Sequence, residues 1–280
     1  MRCAWKELLS ILPVWMRQQV DELGEDTMQD LRLRIGYPPE LNCGVSTYRL
    51  GVNVTQQDLL FIVNTASRYS PWSAQSLSRG YITAPGGHRI GICGTAVVKE
   101  GMVTGVRDPM SVCIRVARDF PDLPVAKEAL KGSVLIIGAP GSGKTTLLRR
   151  LIRNRSEHTE QSIAVVDERG EIFPEASNFP FGSRTDVLRG CSKADGLEML
   201  LRTMGPSTIA VDEISSAGDC RSLVNAAWCG VDLMATAHAA SVKELQTRQV
   251  YKPLIGCRIF DTLIIMRKDK SWYVERMAHG

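Results

Sequence analysis

At 280 residues, with 44% hydrophobic and 23% charged side chains, the chain has the balance of a folded globular protein and the length for one large domain or two modest ones. A net charge of +4 and a pI near 8.6 exclude the basic excess that by itself argues for nucleic acid, and no run approaches the ~18 apolar residues of a membrane helix. Eight scattered cysteines without a CxxC pair exclude a zinc ribbon or thioredoxin-type motif, and they read as reduced, mostly buried thiols of a cytoplasmic protein.

The first 120 residues mix short helices and strands. The early charges of Met1–Glu7 leave no room for the apolar stretch of a signal peptide. Trp5, Leu8, Leu9, Ile11 and Leu12 recur at helical spacing until Pro13, and a second helix runs from about Val14 to Leu23, where Gly24 can end it. Leu31–Ile35 alternates apolar and basic residues, as a half-exposed strand does. Thr55 with Asp58 forms a helix start ahead of Leu59, Leu60, Ile62 and Val63. Tyr81–Thr83 and His88–Val98 read as strands around the turn Pro85-Gly86-Gly87, and Ser111–Val116 reads as another.

Residues 121–132, with Pro121, Pro124 and Gly132, are the expected linker. Beyond them the pattern changes to continuous apolar runs: Val134–Ile137, Ile163–Val166, Thr208–Val211, Leu233–Ala237 and Thr262–Met266. Such runs suit strands buried on both faces, and helical segments separate most of them. The expected organisation is an N-terminal α+β domain (1–120) and an α/β domain (133–280) with a mostly parallel sheet and helices on both faces.

The chemistry concentrates in this second part. Gly138-Ala139-Pro140-Gly141-Ser142-Gly143-Lys144-Thr145 fits GxxxxGK[ST] without mismatch, after a buried strand and before a helix that starts at Thr146. The glycines let backbone N–H groups turn inward around phosphates, and the helix N-terminus adds partial positive charge. Lys144 would reach the β- and γ-phosphates of ATP, with Thr146 beside them, and the Thr145 hydroxyl would ligate Mg²⁺. Thr208–Glu213 is an apolar strand ending in two carboxylates, the form of a Walker B motif. Asp212 would hold the Mg²⁺ shell and Glu213 would polarise the attacking water.

Three features carry two readings each. Asp167 and Glu171 end the strand Ile163–Val166, either as a second acidic site beside the nucleotide or as a solvated strand end. His238 follows the strand Leu233–Ala237, either as a sensor of the γ-phosphate or as a structural histidine. Arg149, Arg150, Arg153 and Arg155 read first as a solvated helix face, with a nucleic-acid contact as the alternative.

The order Gly138–Thr145, Asp167–Glu171, Asp212–Glu213, His238 resembles the Walker A motif, acidic box, Walker B motif and histidine box of the hexameric type II and type IV secretion ATPases and type IV pilus motors. The second of the Walker B carboxylates follows Asp212 here, where those proteins usually have glycine. More of the chain, from Leu31 to Met266, resembles the stage III sporulation protein AA family. That resemblance rests on Gly80–Thr83, Gly86–Gly91, Val166–Arg169, Arg184–Leu188, Lys193, Ala235–His238 and Ile259–Asp261. It implies a RecA-like P-loop NTPase core and a cytoplasmic ATPase on the mother-cell side of a sporulating bacterium, energising a secretion-like channel to the forespore. It also implies a homo-oligomer, a hexameric ring with ATP at subunit interfaces, working with integral membrane proteins and not with nucleic acid. An arginine of the N-terminal half, Arg89 or Arg115, would then complete a neighbour's site, unless both are surface or salt-bridge arginines. The competing reading is a RecA-like nucleic-acid motor.

Overall fold

A computed structural model describes residues 1–44, 46–67, 80–175 and 177–277. The chain forms two compact units: Met1–Asp119 with Pro174–Phe179, and Phe120–Phe173 with Pro180–Gly280.

The first unit opens with β1 (Arg2–Cys3), α1 (Trp5–Ser10) and α2 (Val14–Asp21); Pro13 ends the first helical stretch and opens the second. Six strands then build one antiparallel sheet: β2 (Asp30–Arg34), β3 (Glu40–Asn42), β4 (Thr47–Arg49), β5 (Tyr81–Thr83), β6 (Arg89–Lys99) and β7 (Met102–Arg115), in the order β4-β3-β2-β7-β6-β5. α3 (Gln56–Ser67) starts where expected, with Thr55 and Asp58 exchanging hydrogen bonds (Asp58 N to Thr55 Oγ1, 3.2 Å; Thr55 N to Asp58 Oδ2, 2.8 Å). The alternation in β2 puts Leu31 and Leu33 inside with Leu8, Ile11, Leu12, Ile90, Val112 and Ile114, while Arg32 and Arg34 point out. β7 runs nine residues further towards the N-terminus than its alternating part suggests. Its polar, glycine-containing first half pairs only with β6, and β8 (Arg118–Asp119) then pairs with β1. Of the thiols expected to be mostly buried only Cys220 is; Cys3, Cys43, Cys113 and Cys191 are half-buried, Cys93, Cys229 and Cys257 are exposed, and all eight are free.

The second unit is a seven-stranded sheet: β9 (Val134–Gly138), β10 (Ile163–Asp167), β11 (Thr185–Arg189), β12 (Thr208–Ile214), β13 (Asp232–Ala237), β14 (Thr262–Met266) and β15 (Trp272–Arg276). The order is β11-β10-β12-β13-β9-β14-β15, parallel throughout except for the edge strand β15. Its helices are α4 (Lys144–His158), α5 (Lys193–Thr203), α6 (Ala217–Trp228), α7 (Val242–Thr247) and α8 (Lys252–Gly256). β9, β10 and β14 are buried at every position, which is why they read as unbroken apolar runs. Among the described residues no helix is long and apolar enough to cross a membrane.

The arginines after the phosphate loop are neither a solvated face nor a nucleic-acid stripe. Arg149, Arg153 and Arg155 are buried, and their guanidinium groups donate to backbone carbonyls: Arg149 to Ile172 and Glu171, Arg153 to Pro180, Arg155 to Ala129 and Gly132. Half-buried Arg150 donates to Leu123 O (3.0 Å). A planar fork with five donors can satisfy several carbonyls that no strand pairs, which periodicity cannot reveal. Residues 121–132 accordingly lie in the second unit, tied to α4 by Arg150 and Arg155.

Candidate functional site

The carboxyl ends of four neighbouring strands, β10, β12, β13 and β9, carry the polar residues, as the crevice rule for parallel α/β sheets requires. β9 leads into Gly138–Thr145. Gly141 (φ 76°) and Gly143 (φ 98°) take the left-handed conformation that glycine alone adopts freely. A Cβ on Gly138 would come within 2.6 Å of Ser142 Oγ and 2.9 Å of Met266 O, so the loop closes only around a glycine there. Pro140 and Gly141 are exposed at the loop's crest, Ala139 and Thr146 half-buried, and Lys144 opens α4. The cradle suits phosphate: a helix N-terminus, glycines that keep side chains out, and a buried lysine.

Lys144 Nζ donates to Gly138 O (3.0 Å), Ala139 O (2.9 Å) and His238 Nδ1 (3.1 Å), using all three of its protons. Burial holds its pKa below the usual lysine value, opposed by Asp212 and Glu213. Thr145 Oγ1 donates to Asp212 Oδ2 (2.7 Å), which joins the phosphate loop to the end of β12. A hydroxyl and a carboxylate oxygen side by side are hard donors of the kind Mg²⁺ takes together with phosphate oxygens, so the residues present fit that ion.

At the end of β12 the ladder breaks. Val211 pairs with Ala235 and Ile214 with Ala237, so Asp212 and Glu213 together face Thr236: a β-bulge. Glu213 sits at φ 52°, a conformation costing a non-glycine residue on the order of 1–3 kcal/mol. Its carboxylate lies between Arg169 (Nη1 to Oε2, 2.8 Å) and His238 (Nε2 to Oε1, 3.5 Å). The imidazole therefore bridges Lys144 and Glu213.

Asp167 serves the acidic loop itself. It is buried, and its oxygens accept from the N–H groups of Glu171 (2.9 Å), Ile172 (3.2 Å) and Phe173 (2.8 Å). Burial raises its pKa above the ordinary aspartate value, with the N–H groups of Phe173 and Ile172 opposing. Glu168 pairs with the buried Lys193 Nζ at 2.5 Å. Asp167, Glu168, Arg169, Glu171, Lys193, Asp212 and Glu213 line one pocket, so Glu171 lies near Asp212 and Glu213. The structure thus brings Lys144, Thr145, Asp212, Glu213, His238 and the acidic loop together in the second unit. Arg89 and Arg115 belong to the first, where they are direct cross-strand partners on β6 and β7; Arg89 lies 4.0 Å from the centre of the Tyr81 ring, and Arg115 is exposed. Sequence reasoning assigned no role to Arg169, Lys193 or Thr236. The one signal for Thr236 is a hydroxyl in an otherwise apolar buried strand, two residues before His238.

Comparison with known proteins agrees with this architecture. The chain is 36% identical over 281 residues to stage III sporulation protein AA of Bacillus subtilis (strain 168), covering 95% of this chain and 92% of that one. The fold is similar to that of the ATPase DotB of Legionella pneumophila (TM-score 0.63, 19% identity, 95% of this chain and 80% of that one). It is also similar to the pilus retraction motor PilT with bound ADP (TM-score 0.61, 18% identity, 89% and 76%). The second unit is therefore a RecA-like P-loop core, with the first unit, an α+β fold, ahead of it. A family model described as sporulation stage III, protein AA, matches residues 4–274, and the chain belongs to that family.

Proposed function

We propose that the second unit binds ATP with Mg²⁺ and hydrolyses it. The observation that carries this reading is the 2.7 Å bond between Thr145 and Asp212, which sets the phosphate loop against the Walker B carboxylates. Lys144 would exchange its loop carbonyls for phosphate oxygens. Mg²⁺, when bound, would neutralise charge on the β- and γ-phosphates. Thr145 and Asp212 would hold that ion, and Glu213 would take the proton of the attacking water. His238, in contact with both Lys144 and Glu213, would link phosphate occupancy to the base.

The likeness to DotB and PilT and the membership of a sporulation family support a motor that energises transport at the forespore membrane, acting from the cytoplasmic side with membrane-protein partners. Assembly into a homo-oligomeric ring, with Arg89 or Arg115 completing a neighbour's site, is part of the same reading. Burial of Arg149, Arg153 and Arg155 weighs against the alternative of a nucleic-acid motor, which those arginines and the mild basicity would permit. The test is phosphate release by the purified chain with MgATP, with native mass measured alongside. Wild-type turnover that Lys144→Ala abolishes supports the proposal; no turnover in any assembly state, or turnover that survives Lys144→Ala, sinks it.

A further inference from the structure

We propose that Thr236 is a positioning residue for hydrolysis: its hydroxyl fixes both Walker B carboxylate residues at once. The inference rests on the ATPase reading above. Thr236 is fully buried on β13 and faces the bulge of β12. Its Oγ1 lies 2.5 Å from Asp212 Oδ1 and 2.8 Å from Glu213 N. The carboxylate can only accept, so the single hydroxyl proton goes to Asp212, and the oxygen's lone pairs accept the Glu213 N–H. Glu213 N also lies 3.1 Å from Asp212 Oδ1, closing a triangle of three atoms.

Each edge of that triangle has a consequence. With Oδ1 of Asp212 occupied by Thr236 and Glu213 N, Oδ2 is left to meet Thr145 at 2.7 Å. The bulge takes the Glu213 N–H out of the ladder, and Thr236 supplies the acceptor that the missing strand partner would have given. Glu213 is thereby held at its left-handed φ of 52°, with its carboxylate between Arg169 and His238. Thr236 acts through Asp212 and Glu213, the two residues that would meet the ion and the attacking water. Only a short side chain that carries a hydroxyl can do this near the carboxyl end of a buried strand. Valine fills the space and provides no acceptor; serine restores the hydroxyl.

The experiment compares wild type, Thr236→Val and Thr236→Ser in two readouts. Misplacement of a catalytic group by about 1 Å can cost ~10² in rate. Thr236→Val should therefore lower kcat ~10–100-fold while affinity for a fluorescent ATP analogue stays within about threefold, and Thr236→Ser should return kcat to within about threefold of wild type. In hydrogen exchange, a peptide spanning residues 211–215 should exchange ~10-fold faster or more in the valine variant and at the wild-type rate in the serine variant. Wild-type kcat in Thr236→Val, or a serine variant as slow as valine, overturns the inference. A wild type without ATPase activity overturns the proposed function instead; the exchange readout then decides Thr236 alone, and an unchanged rate in the valine variant refutes it.

Discussion

His238 Nδ1 lies 3.1 Å from Lys144 Nζ, and this contact points to one assignment of the imidazole's hydrogen-bonding roles. An ammonium group donates and cannot accept, so Nδ1 carries the lone pair and Nε2 the proton, facing Glu213 Oε1 at 3.5 Å. Replacing His238 by alanine should lower kcat ~10-fold or more and leave nucleotide affinity within about threefold, because the loss falls on the link between phosphate and base. A His238→Ala enzyme that turns over like wild type would show the histidine to be structural.

Glu213→Gln keeps the shape of the base and removes its basicity. It should bind ATP normally and hydrolyse it ~10²–10⁴-fold more slowly, the range of general-base contributions. Hydrolysis at the wild-type rate would move the base to another residue, and Glu171 in the same pocket is the next to test.

Arg89 and Arg115 face each other across β6 and β7, so a neighbour's site could take either. Alanine at the operative position should abolish hydrolysis, by ~10³ or more, with ATP binding intact. Mixing that variant with Glu213→Gln should recover part of the activity, since each defect would then lie in a different subunit's contribution. Normal hydrolysis in both single arginine variants sinks the trans-acting role.

Asp167 accepts three backbone N–H groups with two oxygens. Asparagine keeps one acceptor oxygen and places an amide N–H₂ where the other stood, stranding at least one buried donor. Asp167→Asn should cost about 1–3 kcal/mol of stability, read as a lower midpoint in urea unfolding. Unchanged stability would mean that the loop can find other acceptors.

The thiols should sort by environment. Burial pushes Cys220 up to about 11, and its Sγ donates to Val250 O at 3.0 Å. At pH 8 only about 10⁻³ of it is thiolate, whereas an ordinary exposed thiol ionises near 8.5. Maleimide at pH 8 should label the exposed Cys93, Cys229 and Cys257 first, followed by mass spectrometry of the tryptic peptides. Early modification of Cys220 would show that α6 opens readily.

The parallel core was legible because its strands are buried on both faces, and the phosphate loop because its glycines and lysine have no cheaper explanation. The edge strands were not: Thr185–Arg189 and Trp272–Arg276 are partly exposed and too mixed in polarity to stand out. Local pattern also hid the long-range pairings. Nothing near Arg155 announces that it reaches Ala129 and Gly132, and nothing near Thr236 announces a bulge one strand away. The acidic residues after β10 show the same limit, since the hydrogen bonds of Asp167 depend on how the chain turns after it.

The buried arginines of α4 also change what the solvent meets. Among the described residues, Lys144, Arg149, Arg153, Arg155 and Lys193 are interior bases, against interior acids Asp119 and Asp167. Among the described interior residues, bases therefore outnumber acids, and the arginines spend their donors on backbone carbonyls. Arg149, Arg153 and Arg155 still add to the long-range field of a chain with net charge +4, but they cannot pair directly with a polyanion at the surface. Any pairing of that helix with an acidic partner is thereby left to the side chains that stay outside.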